Sequence, residues 1–345
     1  MRMLDRSLRA RRSVRLLAAA ALTMALAGYM QPGWATEKIK IGTLMTSASG
    51  ILFLGQERGY FAAEGLEAEM VPFDAGQPVA VAAVSGDIDF GVAGVTSALY
   101  TLAGQGALRL IGGWNYDAPS FHTSGVVVSN RAYENGLTSF QAMGGHSVGL
   151  TQIGSSYHYA ISLVAEKYHV DLKSLRMVPL QSMSNIASAI AGGQTDIGVL
   201  IANIALGLVE RGSAKSLGWV GDETPWQVAA IWTSTKNANE RGPMIEHFLR
   251  ALRQATQDYN SAFVDKNGNR QDGPAAPELY AKIAKYLNLP IEQVKLSIGY
   301  TDPELRLDVK DVTRQITWYR AQGMIKSDVD MAQAIDKRYA IPLPR

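Results

Sequence analysis

The chain of 345 residues contains no cysteine. That excludes disulfides, thiolate nucleophiles, cysteine-ligated zinc and a lipid-modified N-terminal cysteine. Histidine is scarce, and the five present (His122, His146, His158, His169 and His247) fall in no metal-ligand spacing. No Gly-x-Ser-x-Gly elbow accompanies them. Asp87 and Asp89 are paired carboxylates, but the matching strand further on keeps only Asp196, which favours a structural role at a strand edge over acid/base work. An enzyme reading therefore finds little to stand on. Charge of one sign is lacking too, with 33 Lys and Arg against 31 Asp and Glu, a formal balance of +2. Six of those arginines and Asp5 lie in the first 35 residues, so without that segment the charge becomes −3. A slightly acidic chain without basic runs has no footprint for nucleic acid.

What the N-terminus does have is an address. Arg2, Arg6, Arg9, Arg11, Arg12 and Arg15 form a basic region, Leu16 to Ala27 an apolar one, and Gly33-Trp34-Ala35 a small-residue cleavage site. These are the parts of a cleavable export signal over residues 1–35. A transmembrane reading fails because about 20 apolar residues are needed to span a bilayer. The pair Arg11-Arg12 raises a twin-arginine route, but Ser13, Val14 and Arg15 fit that signal poorly and the Sec route fits better. The expected location is the periplasm.

The rest of the chain contains a repeat. With a constant shift of 107 and no gap, residues near 39–99 superimpose on residues near 146–206: Met70-Val71-Pro72 returns as Met177-Val178-Pro179, and Gly86, Asp89, Gly91 and Val92 as Gly193, Asp196, Gly198 and Val199. Each copy alternates short apolar runs with helical patterns, which predicts βαβ units and parallel sheets. Helices are expected at 50–65, 78–84, 96–103, 157–168, 185–191, 204–211, 244–263 and 304–322, with a loop at 265–277. Two extended segments, 125–129 and 227–235, read as crossovers between lobes. The expected division is residues 37–124 plus 232–345 for the first lobe with its C-terminal helices, and 125–231 for the second. Two such α/β lobes, with parallel cores and two hinge crossovers, leave a cleft, and open α/β sheets bind ligands beyond the carboxyl ends of their strands.

Four stretches carry a family resemblance: Ile39-Lys40-Ile41-Gly42; the helix phrase Gln56-Glu57-Arg58-Gly59-Tyr60-Phe61-Ala62-Ala63-Glu64-Gly65-Leu66; Ser85-Gly86-Asp87-Ile88-Asp89-Phe90-Gly91; and Trp318-Tyr319-Arg320-Ala321-Gln322-Gly323-Met324-Ile325. Together they resemble the substrate-binding proteins of ABC importers for nitrate, alkanesulfonates and taurine, and are similar to the thiamine-pyrimidine-precursor binders. The resemblance implies a bilobed periplasmic-binding-protein fold of type II. It also implies a small, usually anionic solute as ligand, and an ABC permease with its ATPase as partners.

The residues supply their own case for an anion. Loops rich in hydroxyls precede predicted helices at Thr46-Ser47-Ala48-Ser49, at Thr96-Ser97 and at Gly154-Ser155-Ser156. Helix N-termini offer free N–H groups and the positive end of the macrodipole, although Ser and Thr are also ordinary caps. The repeat places Ser49 over Ser156 and Thr96 over Asn203. Gly149 to Ser156 imitates a phosphate loop, but Ser155 stands where its lysine would be, so no nucleotide site is expected. Aromatic and imidazole groups (Trp114, Tyr116, Phe121, His122, Tyr157, His158 and Trp226) cluster near the same loops and point to an organic ligand. The expected ligand-binding residues are Thr46, Ser47, Ser49, Gln77, Thr96, Ser97, Trp114, Ser155, Ser156, Tyr157, Asn203 and Trp226, with no metal and no cofactor. The function they suggest is a monomeric periplasmic receptor for a small organic anion, sulfonate or carboxylate, aromatic acids included. A ligand-sensing partner of a membrane sensor, or a binding-protein-like enzyme of thiamine-pyrimidine metabolism, are the alternatives.

Overall fold

The structure is a computed structural model that describes residues 36–325 and 329–344; the export segment read at 1–35 lies outside them. Two five-stranded sheets organise the chain. The first runs β2 (Leu66–Pro72), β1 (Glu37–Thr43), β3 (Phe90–Gly94), β12 (Ala229–Ser234), β4 (Leu108–Gly113). The second runs β8 (Arg176–Pro179), β7 (Ser147–Leu150), β9 (Ile197–Ile201), β6 (Ser124–Ser129), β10 (Ala214–Trp219). The two orders are the same, position for position, and the shift of 107 carries β3 onto β9 residue for residue.

In each sheet three neighbouring strands are parallel, and the fourth, β12 or β6, is antiparallel to both its neighbours. These fourth strands are exchanged. β6 follows the first repeat in sequence but pairs inside the second sheet, and β12 follows the second repeat but pairs inside the first. The segments expected to be crossovers, 125–129 and 227–235, are thus largely interior strands. β6, Ser-Gly-Val-Val-Val-Ser, is buried along its whole length, as a β-branched run covered on both faces should be. The chain passes between the sheets in residues 114–123 and 220–228, where β5 (Asn115–Asp117), β11 (Trp226–Gln227) and β13 (Tyr300–Thr301) make a small antiparallel sheet of their own.

The two aspartates of the repeat do the same work. Asp89 accepts the Lys40 N–H at 2.9 Å and Asp196 the Ser147 N–H at 3.0 Å, each stitching the first strand of its repeat to the residue that leads into the third. Arg241 pairs with Asp89 and Glu37. These contacts give Asp89 a structural role and leave Asp87 bonded to its neighbour Ser85.

The helices that frame the sheets are α1 (Gly50–Glu57), α2 (Gly76–Ser85), α3 (Ser97–Gly104), α4 (Ser156–Lys167), α5 (Met183–Ala191), α6 (Ala202–Glu210), α7 (Gly242–Phe263), α8 (Ala276–Leu287), α9 (Ile291–Lys295) and α10 (Val309–Ala321). The helix expected over 50–65 is interrupted because Gly59 takes φ +74°, a left-handed turn that glycine adopts without strain. Only Tyr60–Ala63 resumes it. α10 begins later than expected, at the Asp308 cap, whose side chain accepts the Asp311 N–H. α7 and α8 pack on α1, where Tyr286 of α8 stacks on Phe53 at 4.5 Å, and α7 also packs on β3, where Phe248 stacks on Phe90 at 3.9 Å. α10 touches α3 beside the first sheet, where the C-terminal helices were expected to pack, and also α4 beside the second. Among the described residues no helix is long and apolar enough to cross a membrane.

Candidate functional site

A parallel strand followed by a helix places the helix N-terminus at the strand's carboxyl end. Here three such ends come from each sheet, and all six reach one cavity of about 80 Å³. Its lining takes Ser47 to Ser49 before α1, Ala75 and Gly76 at α2, and Thr96 before α3; facing them are Ser155 to Tyr157 at α4, Met183 at α5, and Ala202 and Asn203 at α6. Where about 10 to 15 Å³ suffices for one water, the space suits a compact solute. No lining residue is charged. The walls meet beyond it, for Ser97 donates its N–H to the Gly154 carbonyl at 2.9 Å. Two glycines permit that approach: a Cβ on Gly154, which has φ +81°, would lie 2.1 Å from Ser97 Oγ, and one on Gly94 would lie 2.8 Å from Ser156 Oγ.

Of the residues expected to bind ligand, Thr46, Ser47, Ser49, Thr96, Trp114, Ser155, Ser156, Tyr157 and Asn203 line this cavity. Several hydroxyls are already engaged. Thr96 caps α3 by accepting the Leu99 N–H at 3.1 Å, and Ser155 caps α4 by accepting the His158 N–H at 3.3 Å. Ser49 is no cap, because its Oγ turns back to the Leu44 carbonyl and to Thr43. The helical turn therefore starts at Ser47, with Thr46 extended before it.

Three expected residues fall elsewhere. Gln77 lies in a shallow surface groove with Pro78, Val81, Ser85 and Gln152, because the first turn of α2 presents Gly76 to the cavity and turns Gln77 away. Ser97 forms the contact between the walls and does not line the cavity. Trp226 is fully buried; its indole N–H donates to Asp117 Oδ2 at 3.2 Å and its ring packs near Tyr157 and Tyr159. Of the seven aromatic and imidazole groups expected at the cleft, only Trp114 and Tyr157 line it. Phe121 packs on Tyr300, and His122 stacks on Trp219 while bonding Asp222. The apolar part of the wall is mainly aliphatic: Leu44, Val92, Met183, Ile201 and Val228.

Sequence reasoning passes over Thr43, Asn115, Thr123, Thr151 and Ser297, all in the lining. Thr43 and Thr151 end β1 and follow β7, so the rule that ligands lie beyond strand carboxyl ends was a signal for them. Ser297 comes from after α9 and bonds Ser47 across 250 residues of sequence; no local pattern marks it. Asn115, 7% exposed, has its Oδ1 buried without a protein partner.

Beneath the cavity, Asp117 binds the crossovers together. It accepts the Thr123 N–H at 3.1 Å as well as the Trp226 indole. Burial raises its carboxyl above the usual range, opposed by the hydrogen bonds from the Thr123 N–H and the Trp226 indole. His158, 4% exposed, accepts the Gly154 N–H through Nδ1 at 3.2 Å, and burial pushes it down to about 4. Its neutral form thus holds the loop that meets Ser97. Among the described residues no cluster of three His, Cys, Asp or Glu could hold a metal.

Two outcomes follow. Trp226→Ala should lower the free energy of unfolding by about 3 to 5 kcal/mol, read by urea denaturation without ligand; a loss under about 1 kcal/mol would contradict its place in the core. For His158, the unfolded imidazole takes its proton near 6.5 and the folded one near 4. Stability is therefore full above about pH 6.5 and falls as pH drops towards 4, by about 3 kcal/mol in all. His158→Asn should flatten that fall in the urea midpoint between pH 7 and 4.5, and an unchanged slope would count against it.

Known proteins share this architecture. The alkanesulfonate-binding protein SsuA from Xanthomonas axonopodis pv. citri, bound to MOPS, aligns with TM-score 0.70 at 20% identity over 87% of this chain and 98% of its own. The periplasmic nitrate-binding protein NrtA from Synechocystis PCC 6803 aligns with TM-score 0.68 at 12% identity, over 88% of this chain and 87% of its own. A DSZB mutant in complex with biphenyl-2-sulfinic acid aligns with TM-score 0.58 at 15% identity, over 89% and 97%. At these identities the likeness establishes the fold, the two-lobed periplasmic-binding-protein fold. No curated protein matches by sequence. The family model described as NMT1/THI5 like matches residues 47–261, more than half of the chain, and the chain belongs to the NMT1/THI5-like family.

Proposed function

We propose that the protein is a periplasmic receptor that closes on a small organic anion, a sulfonate or carboxylate with aromatic acids included, and delivers it to an ABC permease and its ATPase. In this reading residues 1–35 are a cleaved export signal and the mature protein is a monomer. Its moving bodies are 37–124 with 232–345, and 125–231.

The observation that carries the reading is a cavity without any charged side chain, walled by six helix N-termini. A cation there would meet the positive ends of six macrodipoles with no carboxylate to offset them. An anion meets N–H groups and hydroxyls, and hydrogen bonds to a charged acceptor contribute about 1.5 to 3 kcal/mol each. The aliphatic lining leaves room for an organic substituent. Solved structures of the same fold hold a sulfonate buffer and an aryl sulfinic acid, which supports the same class of solute. The lining contains no imidazole and no carboxylate, and this supports binding over turnover.

Thermal shift against alkyl and aryl sulfonates, taurine, aromatic carboxylates, nitrate and thiamine-pyrimidine precursors tests the proposal. At least one organic acid should stabilise the protein saturably without being consumed. Ser156→Ala, which removes a hydroxyl that caps nothing, should weaken that acid by about 1 kcal/mol with little change in unliganded stability. Stabilisation by none of the organic acids, or unaltered affinity in the variant, would contradict the reading.

A further inference from the structure

α10 contributes no residue to the cavity lining, and it touches α3 beside the first sheet and α4 beside the second. Asp311, Gln315, Trp318 and Tyr319 follow one another at spacings of four, three and one residues, so they share one side of the helix. Towards the first sheet, Gln315 Oε1 accepts the hydroxyl of Tyr100 from α3 at 3.0 Å. At the crossover, Asp311 Oδ2 accepts the Gln227 N–H at 2.8 Å, Gln315 Nε2 donates to the Gln227 carbonyl at 2.8 Å, and Gln227 Oε1 accepts the Asp308 N–H at 3.1 Å. Towards the second sheet, Tyr319 donates its hydroxyl to the Ser155 carbonyl at 2.9 Å, and Tyr159 of α4 donates to Asp311 Oδ1 at 3.4 Å. Trp318 meets His158 and Tyr159 edge to face at 5.2 and 5.5 Å. Tyr100, Tyr159, Asp311, Gln315 and Tyr319 are all buried.

The arrangement has a mechanical consequence. Turning the walls apart about residues 114–123 and 220–228 carries α4 away from α3, and α10 cannot follow both. Its bonds at the crossover and to Tyr100 hold it with the first sheet, so the bonds that must part are those to Ser155 and Tyr159. Ser155 is also the residue that caps α4 and lines the cavity, and the one after it, Ser156, faces Gly94 across the cleft.

We infer that α10 is a latch on the cleft: through the hydroxyls of Tyr319 and Tyr159 it holds the second wall in the closed arrangement before any solute arrives. Tyr319 is a positioning residue that never touches the ligand. The inference rests on the two-body receptor proposed above, and it adds that part of the free energy of closure is built into the chain. Affinity then depends on the latch in proportion to the fraction of molecules already closed.

The absence of cysteine makes the test direct. Val81→Cys on α2 and Ile153→Cys on the opposite lip are both well exposed, and paired nitroxide labels there report the lip-to-lip distance in unliganded protein. The result is decided whether or not any acid in the thermal-shift panel binds, so failure of the latch and failure of the ligand proposal are separate results. In the Tyr319→Phe background the closed-to-open ratio should fall about 2- to 10-fold, as expected for one lost hydrogen bond, and Tyr159→Phe should shift it the same way. Tyr60→Phe removes a hydroxyl bonded to Asp258, both on first-sheet helices, and should leave the distribution unchanged. Distributions identical to the parent in both Tyr319→Phe and Tyr159→Phe, or an equal shift in Tyr60→Phe, would overturn the latch.

Discussion

The exchange of β6 and β12 is the constraint on which the rest depends. Each repeat makes four strands of a sheet and surrenders the position between its third and fourth strands to a strand supplied after the other repeat. Neither sheet closes its hydrogen-bond ladder without the partner's contribution. Among the described residues the swap gives two crossings of the chain between the strand layers, and it turns the carboxyl ends of both parallel sets towards the same space. Every helix that follows those strands then begins there. The cavity and its position between the two sheets are consequences of strand order.

Much of this was readable in the residues because the repeat is nearly ungapped. A constant shift of 107 places Gly91 on Gly198 and Asp89 on Asp196, and these pairs serve equivalent roles: a Cβ on either glycine would meet a large side chain packed over the strand, Trp232 or Ile190, and each aspartate stitches two strands. The exchange itself was not readable. Ser-Gly-Val-Val-Val-Ser looks the same whether it pairs with the sheet just left or the sheet about to begin, because local pattern reports burial and not partner. Nine of the twelve nominated residues line the cavity because strand-to-helix loops can be counted. Trp226 does not, because a short crossover leaves its indole no path except inward, onto Asp117. Ser297 and the contacts of α10, though not the helix itself, were invisible for another reason: these contacts join residues 150 to 250 positions apart, and nothing local encodes such distances.

The electrostatics follow from what the walls do not contain. An ion moved out of water without compensation costs several kcal/mol, and an arginine is the usual remedy. Here the compensation would be spread over N–H groups and hydroxyls held by secondary structure, which need no reorganisation when the solute arrives. The neutral His158 helps by keeping the Gly154 N–H engaged, and a proton on its Nδ1 would release it. Selectivity in such a site comes from the number and direction of donors and from the shape of the aliphatic wall. In the proposed receptor, charge recognition and organic fit would fall to different residues.

A crystal structure of the protein with the most stabilising acid from the thermal-shift panel tests the central claim most directly. The acid oxygens should lie about 2.7 to 3.2 Å from N–H groups or hydroxyls of both walls, among Ser47 to Ser49 and Thr96 on one side and Ser155 to Tyr157 and Asn203 on the other, with the organic portion against Met183, Ile201 and Val228. An acid group bound outside this cavity, or neutralised by a lysine or arginine, would contradict the account.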